Sequence, residues 1–161
     1  MTNTNDISSP QVSALQLFQS LAPTAAEALA QQLHGAGVCN SNDLVDALAT
    51  GLSAYARARG IFLSSEFQLA WPGALHVLKG RHTEDDWERL LPQEATAPKA
   101  SSNQIVQGSA QMLRVLDAAE SVGMQPRTAI WYGIWIVTAA VIGHSGPLDA
   151  DISLEELAEC V

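Results

Sequence analysis

"PRTAIWYGIWIVTAAVIGHSGP", Pro126 to Pro147, decides how the rest of the chain is read. No residue from Thr128 to Gly143 is charged, and most are strongly apolar. Such a segment spans a bilayer, fills a helical core, or meets another chain. Length weighs against the first. A hydrocarbon core about 30 Å thick calls for roughly 20 apolar residues, with about 17 the lower limit. His144, Ser145 and Gly146 stop this run short of that. Trp131, Tyr132 and Trp135 cluster at one end, as an interfacial belt would. A small membrane-associated protein anchored through residues 128–144 is therefore the alternative reading, with Arg127 on one side and the acidic tail on the other.

Side-chain size points elsewhere. Ala129, Gly133, Ile136, Ala140 and Gly143 follow a four-three-four-three spacing, which puts them on one helical stripe. All but Ile136 are small, so another backbone can come close. The remaining faces carry Trp131, Ile134, Trp135, Val137, Val141 and Ile142. A helix apolar all round must be covered all round. The neighbouring helix can cover one side; the rest falls to the amino-terminal helices, a second copy, or a different protein. Ala129, Trp131, Tyr132, Gly133, Trp135, Ala140 and Gly143 are the residues expected to make a protein–protein contact.

Composition narrows the function classes. The 161 residues are 47% hydrophobic and 16% charged, against about 25% charged in an average globular protein. That excludes a disordered chain and suggests more burial than a lone monomer needs. Seventeen acids against 8 bases give a net charge of −9. Phosphate backbones repel such a chain, because sequence-independent nucleic-acid affinity comes from Lys and Arg. The acids are too scattered to mimic DNA. Cys39 and Cys160 form no ligand-spaced cluster, and the opening "MTNTNDISSP" lacks a secretory pattern. A bacterial, cytoplasmic protein with two free thiols is the expectation.

Working outward, the punctuation predicts helices almost throughout. Ser9 and Pro10 open one that carries Val12, Leu15, Phe18 and Leu21 at helical spacing. Thr24 and Glu27 form a capping-box pattern, predicting a separate helix from about 25 to 34. Asn40 to Gly60 is the plainest helix, with Leu44, Leu48, Leu52 and Tyr55 on one face and Arg57 and Arg59 near its carboxyl end. Residues 61–71 fit either a short hairpin or a helix, and helix is the reading adopted. "PGALHVLKG" reads as two further turns, and "HTEDDWERLLP" as a helix capped by Thr83 with acids in its first turn.

"QEATAPKASS", residues 93–102, is built like a linker and marks a boundary. A helix of about 104–122 follows, with Ile105, Met112, Leu116 and Ala119 on one side. Gly123 ends it and Pro126 starts the next, predicting an antiparallel helical hairpin. "DISLEELAECV" adds a short acidic helix with a Ser153–Glu156 capping box.

Candidate chemistry fails on geometry. His82, Glu84 and His144 match the letters of a two-histidine, one-carboxylate iron site, but Glu84 is accounted for by helix capping. Asp149, Asp151 and Ser153 open like a calcium loop, yet Leu154 stands where glycine is needed and Cys160 where the bidentate glutamate belongs. Gly35 and Gly37 lack the third glycine of a dinucleotide fingerprint. His34 and His76 read as helix-packing or last-turn histidines. No catalytic, cofactor-binding or metal-binding residue is assigned, and an enzyme whose site cannot be read in sequence is a second alternative.

The sequence thus predicts an all-α protein. An amino-terminal helical bundle (8–92), a linker (93–102) and a carboxy-terminal helical hairpin with an acidic terminal helix (103–161) follow one another. By elimination, the expected role is an adaptor, chaperone-like accessory or inhibitor that binds a protein partner, or another copy of itself.

Overall fold

A computed structural model describes residues 12–63, 67, 70, 74, 76–78 and 98–145. The described chain is all-α, with no strand among these residues. Four helices carry the fold: α1 (Val12–Gly35), α2 (Ser41–Ala58), α3 (Ser102–Ser121) and α4 (Pro126–Ser145). The expected helices at 82–92 and 151–161, and the first part of the 93–102 linker, lie outside the described residues.

α1 corrects the expected break at Pro23. One helix runs straight through that proline. A proline inside a helix removes a donor and crowds the preceding turn, so local propensity alone would end the helix there. Packing overrides it. Phe18, Ala22, Ala26, Leu29, Ala30 and Leu33 are all buried, a stripe that crosses the proline without interruption. Most helical stability in proteins comes from such a buried face rather than from propensity. Thr24 is consequently an exposed mid-helix residue and not a cap. Leu21, which shares the helical spacing of Phe18 in the sequence, points outward at 45% exposure.

α2 follows its sequence pattern. The Asn40 side chain caps it, accepting from the backbone N–H groups of Asn42 (2.9 Å) and Asp43 (3.4 Å). Leu44, Leu48, Leu52 and Tyr55 are fully buried. In α3, Ser101 and Gln104 make a reciprocal capping box.

The carboxyl ends of α1, α2 and α3 share one device. Gly37, Gly60 and Gly123 take positive φ, and the next residue donates back five positions: Val38 to Leu33, Ile61 to Ala56, Met124 to Ala119. These are Schellman closures, each followed by an apolar residue that packs on the core.

Every described residue from Leu63 to Leu78 is helical, which agrees with the helix reading of 61–71 at its described positions beyond Phe62. Leu63, Phe67, Ala70, Ala74 and Leu78 are helical and buried, on the repeat of one helical face.

Contacts between α2 and α3 advance in the same direction along both helices. Asp43 bonds Ala100, Ala47 lies beside Gly108, Gly51 beside Ser109 and Met112, and Arg59 bonds Glu120. The two helices are therefore parallel, and residues 60–100 form the crossover between them. α1 meets α4 through Phe18 and α3 through Leu33. α4 packs against α1, α2 and α3. Buried residues from both sides of the expected 93–102 boundary form a single hydrophobic cluster.

Candidate functional site

α4 obtains its cover from its own chain. Ala129, Trp131, Gly133, Trp135 and Ala140 are all buried in the shared core. Gly133 lies against Leu52 of α2 and Leu116 of α3. Trp135 tilts against Phe18 of α1, with ring centroids 6.1 Å apart. Tyr132 is half-buried and stacks on the same ring at 5.6 Å and 20°. Gly143 falls within the last turns of α4. The packing that the chain gives these buried residues is internal. No helix among the described residues is long and apolar enough to cross a membrane.

Trp131 has one unusual property. Its indole N–H is buried without a hydrogen-bond partner among the described residues, in a helix whose other described side chains are nearly all apolar. Most buried donors in native proteins are satisfied. Thr138, the other buried polar side chain of α4, returns its hydroxyl proton to the Ile134 carbonyl at 2.7 Å.

A polar cluster closes the far end of the α2–α3 pair. Arg59 lies over the Tyr55 ring, 3.6 Å from its centroid. Glu120 Oε1 accepts from the Tyr55 hydroxyl (2.7 Å), from Arg59 Nε (3.0 Å) and from Arg59 Nη2 (2.5 Å). Asp117 adds a longer ion pair to Arg59 at 3.4 Å. Donation by Tyr55 and Arg59 holds the Glu120 carboxyl below its ordinary pKa. Burial, reinforced by the bond to Glu120, raises the Tyr55 phenol well above its own ordinary value. The tyrosine stays a donor and the glutamate an acceptor. Glu120 Oε1 is already engaged by three donors from the chain itself, so the cluster acts as a clamp.

The opposite end of the pair is fastened by Asp43. Its buried carboxylate accepts from the backbone N–H of Ala100 at 2.7 Å, pinning the end of the crossover to the first turn of α2. Nearby, burial raises the pKa of Asp46, with Asp43 adding to the rise.

The outward face of α1 is the surface that sequence reasoning misses. Leu17, Leu21, Thr24, Ala28, Gln31 and Gly35 are all exposed, and they follow a four-three-four-three-four spacing. That is the spacing of a helix–helix seam. No member carries charge, in a chain of net charge −9. Leu17 is 53% and Leu21 45% exposed, one turn apart. The other exposed large apolar residues among those described are far apart, Val106 near the start of α3, Val122 at its C-cap and Phe62 after α2, and isolated ones are ordinary. The signal is present in sequence, but a break predicted at Pro23 cuts the stripe in two. The clamp leaves no local signal, since its two halves are about sixty residues apart.

His34 and His76 are exposed, and Cys39 is half-buried with its thiol 3.8 Å from the His34 carbonyl. Among the described residues, no three metal-ligating side chains converge. Compared with protein-family models, curated proteins and solved structures, the chain matches none.

Proposed function

We propose that this protein is a protein–protein interaction module, an adaptor, chaperone-like accessory or inhibitory factor that engages another polypeptide through the outward face of α1. The observation that carries this reading is the uncharged seam beginning at Leu17 and Leu21. An exposed apolar pair on a regular helical spacing is suited to helix-on-helix recognition, in which anchors at i and i+4 enter a facing groove. Small Ala28, two turns further on, leaves room for a facing backbone to stay close. The absence of cations along the stripe disfavours phosphate-bearing ligands. The α4 residues expected from sequence to make the contact pack against α1, α2 and α3, and the outward face of α1 is the exposed surface proposed in their place.

The test is cross-linking in the native cell. A photo-reactive residue in place of Ala28 is expected to capture polypeptide, and the same probe at exposed Arg114 of α3 is not. Adding Leu17→Glu and Leu21→Glu is expected to abolish the product formed at position 28. Equal yields from both positions, or a product indifferent to the two glutamates, would remove the reading.

A further inference from the structure

We infer that the occupant of the α1 seam is the α1 seam of a second copy of this chain, an inference that rests on the interaction reading above. Charge is the first reason. Each copy carries net charge −9, so two copies repel wherever acidic surface faces acidic surface. In a two-fold contact the same patch faces itself, so a face carrying charge of one sign would oppose its own sign. The α1 stripe is uncharged along its whole length. It is a long helical face that two copies can share without like-charge cost.

Residue order along the stripe is the second reason. Its amino-terminal part is apolar and bulky (Leu17, Leu21), and the remainder is small or neutral and polar (Thr24, Ala28, Gln31, Gly35). A parallel two-fold pairing sets Leu17 on Leu17 and Leu21 on Leu21. It also sets Gln31 beside its counterpart, where one amide can donate to the other's carbonyl oxygen. Between them, Ala28 lets the two backbones stay close. An antiparallel pairing centred on Thr24 would instead oppose Leu17 to Gln31. Glu27, the one carboxylate of α1, is half-buried and outside the stripe. The stripe spans ~27 Å at 1.5 Å per residue. One helix from each copy makes a small interface, so the dimer should form and dissociate with concentration.

Light scattering on the purified full chain over a concentration series tests this. The mass is expected to rise from 17.1 kDa towards twice that value. Leu17→Glu with Leu21→Glu should hold it at the monomer while circular dichroism keeps its helical signal. Disulfide trapping gives an independent reading in a Cys39→Ser background that retains Cys160. There, Leu21→Cys should oxidise to a dimer joined 21 to 21, whereas Ala58→Cys, exposed on α2, should not. A bond within one chain between positions 21 and 160 would show that the carboxyl-terminal segment covers the stripe, overturning the inference. A monomer at every concentration, or a dimer indifferent to both glutamates, would also overturn it. If the chain stays monomeric while the probe at position 28 still captures a different polypeptide, the interaction reading stands and the second copy is wrong.

Discussion

A Cβ placed on Gly51 would stand 2.5 Å from the backbone carbonyl oxygen of Ser109. This close approach sets the spacing of the parallel α2–α3 pair. Gly108, whose own Cβ would stand 3.2 Å from that of Ala47, extends it along the same interface. Asp43 at one end and Arg59 at the other then fix the register. The pair is thus held by two missing side chains and two polar fastenings.

Gly51→Ala should therefore destabilise the protein, although alanine is the better helix former by about 1 kcal/mol. The obstructing atom belongs to backbone and cannot rotate aside. A loss of about 1–3 kcal/mol, typical of overpacking, is expected in urea denaturation. Gly35→Ala is the control, because nothing lies within 4 Å of its Cβ position. It should be neutral or stabilising. Equal effects at the two sites would mean that α2 and α3 do not approach closely.

Gly133→Leu should likewise cost about 1–3 kcal/mol. Gly133→Ala should cost less, since the atom in its way, Leu52 Cδ1 at 2.6 Å, ends a side chain that can turn. Combining Gly133→Ala with Leu52→Val should be less damaging than the sum of the single changes, as expected of residues in contact. Strict additivity would separate them.

Acid should weaken the α2–α3 clamp. Hydrogen bonds from Tyr55 and Arg59 keep the folded Glu120 pKa below its ordinary value. Its contribution is full above the unfolded glutamate pKa of about 4.3. It disappears as pH falls from there through the lower folded value. Glu120→Gln should lower the melting temperature at neutral pH and flatten its fall across that acid window. An unchanged acid slope would show that the clamp contributes nothing.

Asp46 should behave in the opposite sense. Burial raises its folded pKa, so its charge opposes folding at neutral pH and the opposition is relieved as acid protonates it. Asp46→Asn keeps an acceptor for the Thr50 hydroxyl, which in the native chain donates to Asp46 Oδ1 at 3.4 Å. The variant is expected to melt higher than wild type at pH 7 and to lose that advantage in acid. A lower melting temperature at pH 7 would contradict this.

Truncating Asp43 should release the end of the crossover. Asp43→Ala leaves the Ala100 N–H without its acceptor, a loss of about 1–3 kcal/mol. Asp43→Asn, which can still accept, should lose less. Amide exchange at Ala100 reads this directly: faster in the alanine variant, little changed in the asparagine one. Identical exchange in both would show that the bond does not hold the crossover.

By itself the sequence determined what local chemistry controls. Asn40 as a cap, Leu44, Leu48, Leu52 and Tyr55 as one buried face, and the glycine stops at 37, 60 and 123 follow from hydrogen bonds and spacings within a few residues. The helical nature of the uncharged run 128–143 was equally legible, because a long, mostly apolar run has few ways to satisfy its backbone. Tertiary structure decided what depends on distant partners. Pro23 passes through a helix only because a continuous stripe from Phe18 to Leu33 is buried on both sides of it. α4 is covered only because α1, α2 and α3 close around it. Leu21 faces outward rather than inward because the phase of α1 is set by what Phe18 touches, the rings of Tyr132 and Trp135 more than a hundred residues away. Periodicity reveals that a helix has an apolar stripe; contacts between helices choose which stripe is buried, and so which is left to meet another molecule.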